Sequence, residues 1–407
     1  MSVLLVEPRY FGLGYFQACK ALGKKIIVLT SNIDDFKELN IVDLDVDVHE
    51  VDLNDSVATL NLVASLISAI PLQCCIAGSQ FAVPIAGQIS EKLGLPGLGV
   101  NSSLLGVNKD EARTQYNLHG VPSPKFFSID NSTHLKESAP SLEFPVVIKP
   151  VASSSSFAVE LAHTPEELLG AYERLKDINT AFLGFKAKVG FMVEEYVIGD
   201  EFSVELVLDK GCPIFSSVTE KWKTPSPYFV ELAHIVPSNN SSNEELISTA
   251  RTACKSLELH TGAFHVELIL SDSGPKIVEV NPRPGGDKIS TDLLPLALGR
   301  NVFEDHVRIL CGLPPSELSN QQKKYSAIFF FSSNKSATMG SVDKLAELKL
   351  LPEIVEMVFY KKEGEAIVPP HSSEDRVGHV IMTANKREEL VSLIDRIASE
   401  FNRTLIY

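Results

Sequence analysis

The 407-residue chain has no C-x-x-C pair and no Cys/His cluster with zinc-ligand spacing; its six cysteines are scattered at 19, 74, 75, 212, 254 and 311. That excludes a zinc ribbon or a dithiol redox motif and reads as reduced, mostly buried thiols in a cytoplasmic protein. No apolar run reaches the length that spans a bilayer, so no membrane partner is expected. The first residues, MSVLLVEPRYFG, have neither a basic leader nor an apolar stretch of export length and read as a first β-strand. Positive charge is in short supply: 37 Lys and Arg against 52 Asp and Glu leave a net charge of −15. This argues against nonspecific nucleic-acid binding. The turn Arg9-Tyr-Phe-Gly-Leu-Gly leads into a helix without a complete G-x-G-x-x-G pattern. It is therefore expected to be a structural or phosphate-tolerant turn, and hydride transfer on this part of the chain is disfavoured. No Ser/His/Asp or Cys/His arrangement stands out, so a covalent nucleophile is not expected.

A hydrophobic content of 44% and a charged content of 22% are those of an ordinary globular protein, long enough for two to four folding units. Residues 1–107 alternate short apolar strands (3–6, 25–29, 74–77) with helices (12–23, 56–70, 80–93), the pattern of a parallel sheet covered on both faces. Asn108 and Glu111 predict a capping box opening a helix that closes near Gly120. Residues 123–200 read as a small α+β unit with strands at 125–129, 145–149, 157–161 and 191–197 and a helix at 165–176. Strands follow at 202–208 and 213–219, then helices at 243–258 and 301–311. Residues 312–324, polar and proline-bearing, read as a linker. The last unit, 325–407, is expected to hold strands at 326–331, 354–360 and 377–384 and a helix at 386–401.

The most telling stretch is 264–287, FHVELILSDSGPKIVEVNPRPGGD. Two β-type runs flank a turn, and each carries one glutamate. With the turn centred on Ser273, Glu267 faces Glu279 and His265 faces Asn281 on one side of the sheet. Like charges directly opposite each other destabilise a strand pair. Two readings follow: a hard cation between the carboxylates, or an edge hairpin whose glutamates point to water. The Asn-Pro-Arg-Pro-Gly-Gly that follows favours the first, because it puts Arg283 and the open backbone of Gly285 and Gly286 beside the acidic pair.

Three more segments line up with this hairpin. Lys109 starts the helix after Asn108. Lys149 ends an apolar strand and precedes a polar loop, 151–157, containing Ser153–Ser156. The strand from Phe191 ends at Gly199-Asp-Glu201. In order and content the four resemble the ATP-grasp superfamily, specifically its carboxylate–amine ligases and most closely the L-amino-acid ligase branch, over nearly the whole chain. The resemblance implies an α/β and α+β architecture. A Rossmann-like domain (1–107) precedes a split ATP-grasp fold (108–311, with a lid at about 123–200), and a domain like the one closing biotin carboxylases (325–407) follows.

It also implies roles. Lys109 and Lys149 match lysines that contact nucleotide phosphates, and Ser154, Ser155 and Ser156 lie in the phosphate loop, here without the glycines usual in the family. Glu194, Tyr196 and Val197 match the adenine hinge, and Glu201 the ribose-binding acid. Glu267, Glu279 and Asn281 match ligands of a magnesium (or manganese) ion that bridges nucleotide phosphates. Arg283 matches the arginine that holds the transferred phosphate or acyl intermediate, against the plainer reading of a surface arginine paired with Asp287. Arg283, Gly285, Gly286, His265 and Trp222 are expected on the substrate side, the tryptophan from the aromatic, proline-rich segment 219–229. His234 is expected in a substrate loop, though a structural role suits either histidine. The implied reaction joins a small-molecule carboxylate and an amine at the expense of ATP, in a chain that can pair as a homodimer. Rival readings are phosphate transfer to a hydroxyl and nucleotide binding without turnover.

Overall fold

A computed structural model describes the chain except at residues 10–11, 38, 40, 42–44, 154–156, 178–184, 186–187, 225–227, 318–323 and 407, and the side chains of 344 and 346. The serine positions 154–156 and part of the 312–324 linker thus lie outside the described residues. Among those described, no helix is long and apolar enough to cross a membrane.

The N-terminal unit is a parallel sheet of β1 (Ser2–Val6), β2 (Lys25–Thr30), β3 (Val46–Glu50) and β4 (Leu72–Ala77), in the order β3-β2-β1-β4. Successive side chains of a strand point to opposite faces, so a strand buried on both faces is apolar at every position. In β1, Val3 and Leu5 pack with Phe16, Cys19 and Phe303, while Leu4 and Val6 pack with Val63, Ile85 and Ile89. The β3 strand was not anticipated: it is a half-exposed edge whose mixed sequence, VDVHE, lacks the apolar run that marks its neighbours.

The second unit is an antiparallel sheet of β5 (Phe126–Ile129), β6 (Val146–Pro150), β7 (Glu160–Ala162) and β8 (Phe191–Glu195), ordered β5-β8-β6-β7. Helices Ser132–Ser138 and Pro165–Leu175 cover one face, burying Ile148, Phe191 and Val193 against Leu135, Leu168 and Leu175. Thr164 caps the second helix by accepting a hydrogen bond from the Glu167 amide, with proline in the first turn. Strand alternation then sends Lys149 and Glu194 to the opposite, uncovered face.

The rest of the chain is organised on one eight-stranded antiparallel sheet. It holds β9 (Asp200–Asp209), β10 (Cys212–Lys223), β11 (Glu231–Val236), β12 (Gly262–Ser271), β13 (Gly274–Asn281) and β14 (Tyr325–Phe331). After β14 come the two-residue β15 (Ala337–Thr338), then β16 (Ile354–Phe359), β17 (Ala366–Ile367) and β18 (Gly378–Ala384). The order is β13-β12-β9-β10-β11-β14-β18-β16, with β15 and β17 forming a separate ribbon. Pairing of β11 with β14 therefore carries the sheet across the 312–324 segment into the last unit. Neither β11 nor the helix Asp343–Lys349 was anticipated; β11 carries two polar residues in six (ELAHIV) that mask its strand pattern.

Two local expectations need correcting. Glu267 pairs with Glu279 and His265 with Asn281, but nearer the turn Leu268 pairs with Ile277 and Ser271 with Gly274. The turn is thus Asp272-Ser273, and Val278 is a bulge that restores the register. The helix Lys109–His119 does begin after Asn108, yet the Asn108 side chain makes no capping bond. Glu111, the other half of the expected box, binds Lys188 at 2.7 Å instead. Gly120 ends the helix in the left-handed conformation, at φ +67°.

The N-terminal unit docks through close contact between helices Leu13–Ala21 and Val302–Leu310. A Cβ at Gly14 would lie 2.3 Å from the Phe303 ring. Gly14→Ala is expected to cost about 1–3 kcal/mol through overpacking and to lower the thermal unfolding midpoint. A midpoint equal to that of the wild type would show that this contact yields freely.

Candidate active site

A cavity of about 1110 Å³ lies where the units meet, lined by Gln17 and Gln80 of the first, Lys149 and Glu194 of the second, and Glu267, Glu279 and Arg283 of the large sheet. Tyr360 and Arg376 of the last unit complete its wall. The structure brings together every expected site residue that it describes except Asn281, which is buried on the hairpin and does not line the cavity.

At one end Glu194 is held between two cations. Lys149 Nζ donates to Oε1 and Arg113 Nη2 to Oε2, the latter at 3.0 Å. Burial alone would push the Glu194 carboxyl up, but Lys149 and Arg113 outweigh it and hold it below the usual range. Burial also pushes the Lys149 ammonium down, against the pull of Glu194. Arg113 also donates to the carbonyl of Val278 at 2.8 Å, the residue that the bulge leaves outside the ladder. Lys109 donates to the Ser153 carbonyl at 2.7 Å and pairs with Glu279 at 3.2 Å.

The segment after β8 runs along the cavity: Glu195 pairs with Lys276, and the Tyr196 ring faces Phe229 with centroids 5.8 Å apart. Val197 lines the wall beside them, and Glu201 binds Lys221 and Lys223. Trp222 lines the cavity while also packing against the core of the last unit.

The acidic hairpin forms the floor. Glu267 accepts from His265 Nε2 at 3.1 Å and pairs with Lys221 at 3.3 Å. His265 Nδ1 is 2.7 Å from Glu205. Burial would push the imidazole down, but Glu205 and Glu267 outweigh it and hold it up at about 9. Burial likewise opposes ionisation of Glu267, and Lys221 and His265 overcome it, holding that carboxyl well below the usual range. The like-charge problem is therefore met by protein cations, with Glu279 leaning on Lys109 and Glu267 on Lys221 and His265. Both carboxylates still line the cavity. As hard oxygen donors facing shared space they fit a divalent cation that takes its other ligands from a phosphate-bearing substrate.

Beyond the floor Arg283 is half-buried, its guanidinium among the carboxylates of Glu279, Glu267, Glu205 and Asp287; burial pulls its pKa down and these acids oppose. Gly285 follows at a place where a Cβ would come within 2.8 Å of Glu205 and His265. Here only glycine lets the backbone approach, and Gly286 lines the cavity next to it. The Asp287 oxygen accepts from Arg376 at 2.9 Å and contacts His234 Nε2 at 3.3 Å, and its charge also acts on Arg283. His234 is not in a loop but is fully buried on β11, three residues from Glu231.

Sequence reasoning missed Arg113, Glu205, Lys221, Glu231 and Arg376. For Glu205 a signal existed: it is the one charged residue in the run Phe202–Leu208, whereas Lys221 stands beside Glu220 in a strand with other charges. Arg113 and Arg376 carry no such mark, because their partners are remote in sequence.

Two sheets enclosing a cavity with paired lysines on one wall and an acidic hairpin on the other define an ATP-grasp protein. Residues 142–292 match the ATP-grasp domain family, and residues 329–402 match the L-amino acid ligase C-terminal domain 2. The L-arginine-specific L-amino acid ligase of Bacillus subtilis is 20% identical over 84% of this chain and 83% of its own length. Carnosine synthase 1 of Gallus gallus is 32% identical over 37% of this chain, but that match spans only 17% of its length. The crystal structure of an L-amino acid ligase from Bacillus licheniformis shares the fold, with a TM-score of 0.80 and 22% identity over 100% of this chain and 99% of that one. Residues 142–292 are thus an ATP-grasp domain, and the chain as a whole shares its fold with an L-amino acid ligase.

The charge state of His265 sets a pH dependence. With a folded pKa of about 9 against an ordinary 6.5, its contribution to stability is complete below pH 6.5 and is lost as the pH rises through about 9. Glu267 acts oppositely: its contribution is present above the ordinary carboxylate range and is lost on acidification. The thermal midpoint of the wild type is expected to fall between pH 7 and 9, by at most roughly 3 kcal/mol in stability, and His265→Gln to flatten that slope. Equal slopes in the two proteins would show that His265 is not the group responsible.

Proposed function

We propose that the chain is an ATP-dependent carboxylate–amine ligase that forms an amide or peptide bond through an acyl phosphate, with an amino acid as at least one substrate. The observation that carries this reading is the single cavity that joins Lys109 and Lys149, the acidic pair Glu267 and Glu279, and Arg283. Both lysines line the cavity, where they would offset the charge of nucleotide phosphates. Tyr196 and Val197 offer an adenine-sized wall, and Glu201 an acceptor for ribose hydroxyls. Ser154, Ser155 and Ser156 are assigned to the same phosphates by their place after Lys149.

Glu267 and Glu279 would hold a magnesium or manganese ion, with Asn281 behind them in register. When bound, such an ion neutralises phosphate charge and orients the transferred group. A carboxylate oxygen of the acid substrate attacks the γ-phosphorus, the bond to the bridging oxygen breaks, and ADP leaves. Arg283 offsets charge on the phosphoryl and acyl oxygens, since its planar fork suits an oxyanion better than an ammonium does. The amine nitrogen then attacks the acyl carbon, phosphate departs and the nitrogen loses a proton. Gly285, Gly286, His265 and Trp222 border the space these groups occupy. The unit at 123–200 is placed to shield the acyl phosphate from water. Residues 1–107 and 325–407 supply the outer walls, and the substrates are small molecules in a chain that we assign to the cytoplasm and that can pair as a homodimer.

The reading is tested by measuring ADP and phosphate release with ATP and magnesium against the standard amino acids, singly and in pairs. Release that needs both a carboxylate and an amine substrate supports the ligase. A phosphorylated product formed with no amine requirement would point to a phosphotransferase instead. Glu279→Gln is expected to lower turnover by at least about 100-fold, and wild-type turnover in that variant would remove Glu279 from the metal site.

A further inference from the structure

Arg376 comes from the last unit yet lines the cavity. It follows the short turn Ser373–Asp375, which Ser372 caps, and stands two residues before β18, whose approach is fixed by the Val377 amide on the Phe331 carbonyl. Its guanidinium is used on every side. Nη1 donates to Asp287 at 2.9 Å, Nη2 to Glu231 at 3.3 Å, and Nε to the Glu231 carbonyl at 3.1 Å. One face lies 3.8 Å from the centroid of Phe330. A planar fork held this way fixes the distance between two carboxylates more tightly than a lysine can.

The two carboxylates and His234 offer oxygen and nitrogen atoms that all lie within 4.8 Å of one another, on the cavity wall beyond Arg283. A divalent metal at this spot would share the carboxylates with a guanidinium already in hydrogen-bond contact with both of them, and the two cations would repel. A primary ammonium suits the place better. It carries one charge and three directional donors, and each carboxylate keeps lone pairs beyond those that Arg376 and Lys221 occupy.

We infer that Arg376 is a positioning residue. It braces Glu231 and Asp287 so that together they receive the ammonium group of an amino-acid substrate, and the C-terminal unit thereby sets how the substrate is held. This rests on the ligase reading above and adds the group that organises its substrate end.

The test uses the full-length protein and the amino acid that, among the twenty standard L-amino acids, gives the most ADP release with the wild type. Arg376→Gln is expected to raise the KM for that amino acid by about tenfold or more with the KM for ATP little changed, and to lower the thermal midpoint, because Glu231 and Asp287 lose their guanidinium. Arg376→Lys should recover only part of the loss, because it keeps the charge without the fork. Phe330→Leu, which keeps the guanidinium but removes its ring support, should raise the same KM by less, and it serves if Arg376→Gln does not fold. An amino-acid KM that stays at the wild-type value, or an ATP KM that rises in parallel, overturns the assignment. Magnesium or manganese alone protecting the wild type but not Arg376→Gln against thermal unfolding would also overturn it, in favour of a metal at Glu231, His234 and Asp287. ADP release by the wild type that never depends on an amino acid overturns the ligase reading and this assignment with it. Dependence in the wild type with unmoved variants overturns this assignment alone.

Discussion

The site depends on one buried ionic arrangement, Glu194 held between Lys149 and Arg113. Removing three charged side chains from water is costly, and a buried ion pair survives only when its geometry and remaining hydrogen bonds are complete. Arg113 adds a bond from Nη2 to the Val278 carbonyl, which the bulge in β13 releases from the ladder. The bulge, the arginine and the glutamate thus tie the small sheet that carries Lys149 to the hairpin that carries Glu267 and Glu279. The two walls of the cavity are held in register by that chain of contacts.

The same economy runs through the rest of the cavity. Lys221 is shared by Glu201, Glu231 and Glu267, and Lys109 leans on Glu279. Each of these acids has a cation before any substrate arrives, so none of the four stands as an unpaired charge. Phosphates and a metal would replace these pairings with stronger ones of the same sign pattern. The lysines would turn toward phosphate and the carboxylates toward the ion. A site built this way is preorganised without being strained, because every group keeps a partner of opposite charge in both states.

How much could be read in advance follows from how local each signal is. The hairpin was legible because its period-two pattern places Glu267 opposite Glu279 whatever the rest of the chain does. Even so, the turn was misplaced by half a residue, since nothing in Pro-Lys-Ile-Val-Glu announces a bulge at Val278. The apolar strands β1, β2 and β4 were legible from their uniform burial. The edge strand β3 was not, because half-exposed positions accept any residue. Asn108 and Glu111 carried a capping pattern that went unused, as Lys188 offers Glu111 a better partner than the backbone amide does.

By itself the sequence determined the alternation of strands and helices, the acidic pair facing across its turn, and the lysines at the start of one element and the end of another. These follow from side-chain periodicity, which is a property of neighbours in the chain. Only the tertiary structure decided that Arg113 and Arg376 belong to the cavity, that Asp287 pairs with Arg376, and that β14 carries the large sheet into the last unit. Arg376 stands 145 residues from Glu231, and an ion pair across that separation is set by packing geometry, on which local pattern places no constraint.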